Sequence, residues 1–187
     1  MGCCIFDWIA GRVHEYQQSN SRFNTILYLG LQMKIAIGSD HRGFLKKQEL
    51  IESLNYINAK YKIINIDKNY LGKPLSKDYD YPDYAHEVSR MVSSGEADKG
   101  VLICGTGIGM CMAANKIKGA RAALVHSTVE AIASKRHNDS NILCFGEHIK
   151  NICDVVIQWA ETSASEEDRH VRRVCKIEPT LEKGLWI

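Results

Sequence analysis

The sequence predicts an α/β fold built on a five-stranded parallel sheet. From Met33 onward, short apolar runs alternate with stretches in which apolar residues recur three and four apart. Turn residues bound each run, which is how consecutive βα units read. The size and composition agree. A chain of 187 residues, 45% hydrophobic and 25% charged, can bury one ordinary globular domain with or without an appendage.

Taken in order, the strands are expected at residues 34–38, 61–66, 100–104, 122–126 and 141–146. Between them lie expected helices at 43–58, 82–94, 107–117, 128–136 and 149–164. Pro82 suits a first helical turn, and Ile152, Val155, Val156 and Trp159 give the last of these helices an apolar stripe. Residues 67–81, with Gly72 and Pro74, read as a long loop near the site, and 166–178 read as one more helix. Residues 1–32 do not join smoothly to this pattern, and Met33 looks like a second beginning, so the domain is placed at 33–187 with an extension before it. The start Met1-Gly2-Cys3-Cys4 resembles an acylated N-terminus but has Phe6 where the myristoylation pattern wants Ser or Thr. A plain extension is the alternative.

Charge and cysteine usage exclude several classes. Lys plus Arg number 24 against 22 Asp plus Glu, a net charge of +2, and no block of like charge marks a nucleic-acid or membrane surface. No run of about 18 apolar residues could span a bilayer, and no secretory signal opens the chain, which places the protein in the cytoplasm. Seven cysteines, an odd number without C-x-x-C spacing, fit neither a disulfide framework nor a zinc ribbon. Cys144 and Cys153 read as small core residues.

A parallel sheet gathers ligands at the carboxyl ends of its strands, where the strand order switches. The residues there are Ser39-Asp40-His41, Cys104-Gly105-Thr106-Gly107-Ile108-Gly109 and His126-Ser127. Gly105, Gly107 and Gly109 leave backbone N–H groups free of Cβ crowding, able to face an anionic oxygen. A bare tight βα turn would look the same. The Walker pattern fails because Met110-Cys111 follows Gly109, and the dinucleotide fingerprint fails on spacing and on the missing acidic residue after the fourth strand. Cys104 beside those donors is placed to act as a thiolate base or nucleophile, or is simply the last core residue of its strand. His41 and His137 are both expected on the strand-end side, one after a strand and one at a helix end. Asp40 either orients His41 or caps the following helix. Arg169 and Arg173, four apart, share a helix face suited to a phosphate, or pair with Glu166, Glu167 and Asp168 in solvent. His14, His86 and His148 read as structural or surface residues.

Six blocks in order, Gly38–Gly43, Asp80–Ala85, Cys104–Gly109, Ala113–Lys116, Arg136–Asn141 and Arg169-His170 with Arg173, closely resemble the type B ribose-5-phosphate isomerases. These share a family with the galactose-6-phosphate isomerase subunits. The resemblance implies a Rossmann-like, three-layer α/β/α sandwich, no metal or organic cofactor, a sugar-phosphate substrate and a site shared across a homodimer. It implies interconversion of D-ribose 5-phosphate and D-ribulose 5-phosphate, in the non-oxidative pentose phosphate pathway. In this reading Cys104 moves the proton between C1 and C2, and Thr106 with the donors of Gly105, Gly107, Ile108 and Gly109 holds the enediolate oxygen. His137, with Asp40 nearby, opens the furanose ring. Asn138 binds a sugar oxygen, and His41, Arg169 and Arg173 hold the phosphate. Family members that use a Glu base carry it at the position of Met110, so this chain resembles the cysteine type. One departure concerns the phosphate end: Phe145-Gly146-Glu147-His148 stands where the family commonly has Phe-Gly-x-Arg. An isomerase of allose or galactose 6-phosphate, or a non-catalytic sugar-phosphate sensor, are the alternatives.

Overall fold

The computed structural model describes residues 32–57, 60–66 and 80–177. The extension with its acylation-like start and most of the long loop after the second strand lie outside them. The described elements run β1 (Met33–Ser39), α1 (Phe44–Ile57), β2 (Tyr61–Ile66), α2 (Tyr81–Ser94), β3 (Lys99–Cys104), α3 (Ile108–Ala114), β4 (Ala122–Leu124), α4 (Thr128–Asn138), β5 (Ile142–Gly146), α5 (Ile152–Glu161) and α6 (Asp168–Ile177). The strands form one parallel sheet in the order β2-β1-β3-β5-β4. The expected fold class holds.

Helices cover both faces, so the central strands read as continuous apolar runs without alternation, and every residue of β3 is buried. On one face α1 and α5 pack Leu50, Leu54, Val155, Val156 and Trp159 against Ile35, Ile37, Val101, Ile103, Leu143 and Phe145. On the other, α2 and α3 pack Tyr84, Ala85, Val88 and Met110 against Ala36, Leu102, Cys104 and Cys144. Gly43 is where α1 leaves β1 across β3, and a Cβ there would run into the carbonyl of Ile103. Only glycine permits that crossing.

Local chemistry explains where elements stop short of expectation. The strand expected to reach residue 126 ends at Leu124 because His126 and Ser127 serve α4 instead. Ser127 is the N-cap, its Oγ accepting from the Glu130 N–H (3.3 Å), and the Glu130 carboxylate in turn accepts from the His126 N–H (2.6 Å). Helix α3 ends before Asn115, whose side-chain amide pairs with both the N–H and the C=O of Ala122 at 2.9 Å.

The amino edge of the sheet, by contrast, is polar. Buried Trp159 donates to Ser140 Oγ (2.8 Å), which contacts Ser134 Oγ (2.8 Å), and Asn141 bonds Gly119 and Arg121 (2.8 Å each). Lys99, at the start of β3, is 8% exposed, with its ammonium 4.9 Å from the Trp159 ring centroid. Burial, and next the proximity of Lys135, push its pKa down to about 7 from 10.5. Between those two values the unfolded chain binds a proton that the folded chain does not, so the cost of burying this lysine is full at low pH and fades as pH rises toward 10.5. Lys99→Met should therefore raise the melting temperature by several degrees at pH 6, with an advantage that shrinks toward pH 10. An advantage that is absent, or that grows with pH, would contradict this assignment.

Candidate active site

The carboxyl ends of β1 and β3 lie side by side, with Ser39 in register with Ile103, and this is where the strand order switches. Here Asp40 takes the capping role: its Oδ1 accepts the N–H groups of Arg42 and Gly43, both at 2.9 Å. That fixes the turn and leaves His41 exposed at the rim. Cys104 closes β3, 5% exposed, and its Sγ accepts the Gly107 N–H at 3.1 Å. The glycine turn is thus wrapped on the sulfur, and one donor of the expected anion cradle is occupied by it. Gly107 has φ 78°, and a Cβ there would stand 2.8 Å from the carbonyl carbon of Phe145, so position 107 admits no side chain. Thr106 is exposed and its Oγ1 accepts from the Ile108 N–H at 3.4 Å. Met110 is wholly buried in the cluster that contains Cys104, an apolar neighbour in place of any second acid or base.

The reading of the sequence passed over two charged residues at this edge. The Arg42 guanidinium lies over Gly105 and pairs with the carboxylate of Glu147, whose own N–H donates to the Gly105 carbonyl (3.3 Å). Arg42 holds Glu147 below the usual carboxylate range, and Glu147 raises Arg42 in return. His148 is 90% exposed and 3.5 Å from Glu147. Arg42 was visible as a cation next to His41, but nothing in its neighbours announced the partner 105 positions on. Behind the turn, Cys111 lies against Cys144, and this contact brings its thiol down to about 7.

His137 and Asn138 are not at this edge, which corrects the expectation that His137 shares the strand-end side with His41. A helix that follows a parallel strand returns antiparallel to it, so α4 starts at the carboxyl edge and delivers its last residues to the amino edge. The hydrogen bonds agree: Asp139, next after Asn138, is held by Arg121 at the start of β4, and Asn141 precedes β5. Eleven helical residues put about 16 Å between the two ends of α4. Asp40 therefore cannot assist His137 of its own chain.

Helix α6 joins this second group. His170 is 7% exposed and stacks on His137, with ring centroids 4.5 Å apart and planes 10° from parallel. Burial, and next His137, hold His170 below the ordinary histidine value. Arg169 pairs with Glu167 at 2.8 Å, the solvent pairing its neighbours suggested, and Arg173 is exposed. Beside them a hollow of about 650 Å³ is lined by Lys116, Arg121, Ser134, Asn138 and Ile177. The candidate residues thus form two half-sites: Asp40, His41 and the Cys104–Gly109 turn at one edge, and His137, Asn138 and the α6 arginines at the other.

Comparison with known proteins identifies the family. Residues 35–177 match the family model described as Ribose/Galactose Isomerase. The ribose-5-phosphate isomerase B of Escherichia coli is 38% identical over 143 residues, spanning 75% of this chain and 91% of the relative. Among solved structures, the type B ribose 5-phosphate isomerase of Trypanosoma brucei superposes with a TM-score of 0.71 at 38% identity, over 79% of this chain and 98% of that one. A Mycoplasma genitalium ribose-5-phosphate isomerase B, solved with bound ribulose-5-phosphate, gives a TM-score of 0.68 at 35% identity, over 79% and 95%. With the match running through both half-sites, the chain belongs to the ribose/galactose isomerase family.

Proposed function

We propose that the protein interconverts D-ribose 5-phosphate and D-ribulose 5-phosphate, and that each active site joins the carboxyl edge of one chain to the amino edge of a second copy. The observation that carries the chemistry is Cys104 at the strand-order switch, with its sulfur receiving the Gly107 N–H. The thiolate is the form of a cysteine that acts as a base, and the Gly107 N–H holds the sulfur in place. In the open aldose that thiolate takes the proton from C2, and the electron pair moves through the new C1–C2 double bond onto the carbonyl oxygen. The thiol then returns that proton to C1 while the proton of the C2 hydroxyl passes to the oxygen on C1, leaving a hydroxymethyl group at C1 and the ketone at C2. Thr106 and the remaining N–H donors of the glycine turn stand where the enediolate oxygen develops. His137 of the other copy protonates the ring oxygen as the furanose opens, and Asn138 binds a sugar hydroxyl. The phosphate lies between His41 of one chain and Arg169 and Arg173 of the other.

Two features support a second copy as the missing partner. The half-sites stand at opposite edges of one chain, so no single chain brings Cys104 to His137. The outer face of α3 also carries exposed Ile108 (48%) and Met112 (65%) around a hollow that shares Asn115 and Lys116 with the one at Asn138. An apolar face that links the two edges is what a two-fold pairing of identical chains would cover. We place the isomerase domain at residues 33–187, with 1–32 outside it. A six-carbon substrate is the second reading, favoured by His148 standing exposed where the family commonly has an arginine.

Purified protein assayed with ribose, allose and galactose phosphates should show the highest kcat/KM on the pentose. Preference for a hexose would move the assignment to the second reading, and no turnover on any of them would remove it. Cys104→Ala should lose at least about 100-fold in rate. Refolded together, inactive Cys104→Ala and His137→Gln chains should recover up to about one quarter of wild-type activity, because half the dimers are mixed and each has one intact site. Failure to recover would count against a shared site. Arg173→Ala should raise KM about tenfold or more, the loss of a charged hydrogen bond, with kcat less affected. His148→Arg should leave KM equal or lower, and a rise would remove this part of the phosphate model.

A further inference from the structure

We propose that Arg121, through its ion-paired grip on Asp139, is a positioning residue that sets His137 and Asn138 for reaction. This rests on the shared-site reading above. Asp139 ends α4 with φ 48° and ψ 44°, a left-handed conformation that a residue with a Cβ holds only when it is tied down. It is tied on every side. Its N–H bonds the Lys135 carbonyl (3.0 Å), its carbonyl accepts Arg121 Nε (2.8 Å), and its carboxylate takes Arg121 Nη2 (2.8 Å) on one oxygen and Lys135 Nζ on the other.

Arg121 thus meets one residue with Nε and Nη2 together, and its backbone N–H is itself fixed by Asn141 Oδ1 at 2.8 Å. The Arg121 and Lys135 side chains are 19% and 13% exposed, whereas the two residues just before Asp139, His137 and Asn138, are exposed. The chain is most firmly held immediately after the residues that face the substrate. On the other side, the His137 ring rests on buried His170, so the ring sits between a clamp and a platform.

The sheet edge does not need this clamp to form. Asn141 bonds Gly119 and Gly100, Ser140 bonds Trp159 and Ser134, and these contacts close the same edge without Arg121's side chain. What the Arg121 fork adds is control over where the end of α4 points. Small errors in such placement lose large factors in rate.

The test uses complementation between full-length chains. Asp139→Gly keeps the left-handed turn and removes the carboxylate, and it should lose about tenfold or more in turnover. Asp139→Asn, which still accepts a bond from Arg121, should recover part of that loss, and Arg121→Lys, which keeps charge but not the fork, should resemble Asp139→Gly. Refolded with Cys104→Ala, the glycine variant should regain activity, because the intact half-sites then meet. Refolded with His137→Gln it should not, because both chains are then defective at the same edge. Near-wild-type turnover in Asp139→Gly, or rescue by His137→Gln, would overturn the proposal. So would the lack of rescue by either partner while Cys104→Ala and His137→Gln rescue each other, since that result marks a general folding defect. If those two reference variants fail to rescue each other, the shared-site reading falls and takes the proposal with it.

Discussion

The direction of the chain in a βα unit governs the rest of this molecule. Each strand runs to the carboxyl edge, and the helix that covers it must run back, so residues that end strands and residues that end helices are delivered to opposite edges. Cys104 ends β3, and His137 and Asn138 end α4, so the groups proposed for proton transfer are parted by the length of the strands. Covering both faces with helices packs the sheet between two apolar clusters, one on each side. In the proposed site a second copy brings the two groups together.

Close backbone approach gives the carboxyl edge its rigidity. Gly43 lets α1 cross β3 at contact distance, and Gly107 lets the turn after β3 curl back under Phe145 and onto the Cys104 sulfur. Asp40 locks the neighbouring turn through two backbone N–H groups. The Cys104 sulfur is therefore held by backbone on one side and by the packed side chains of α2 and α3 on the other, with little freedom to move. The Arg42–Glu147 pair sits outside this, spanning the rim where solvent has access.

The amino edge solves a different problem. It presents two exposed polar residues, His137 and Asn138, at the end of a helix, where backbone ordinarily frays. Hydrogen bonds and ion pairs do this in place of apolar packing: Arg121 on Asp139, Asn141 on Gly119, Ser140 on Trp159. The buried ammonium of Lys99 beneath Trp159 is the strain in this arrangement, and burial suppresses its charge. His170 completes the edge by stacking on His137 with both ring nitrogens buried and without hydrogen-bond partners among the described residues.

The sequence by itself determined the strands and helices, because apolar periodicity and turn residues are local signals. The runs at β1, β2, β3 and β5 and the stripe of α5 read correctly to within a few residues, while the end of β4 was lost to the start of α4, where Glu130 takes the His126 N–H and Ser127 caps the helix. The Cys104–Gly109 turn was legible too, since glycine at alternate positions after an apolar run has few other uses. What only the tertiary structure decided was which residues meet. Adjacency in a motif list does not encode edge, and His41 and His137 were grouped together although chain direction sets them apart. The Arg42–Glu147 pair, the Arg121–Asp139 clamp and the His137–His170 stack join positions 105, 18 and 33 residues apart. No local pattern specifies contacts at that separation, because they arise from packing elements whose own sequences are independent of one another.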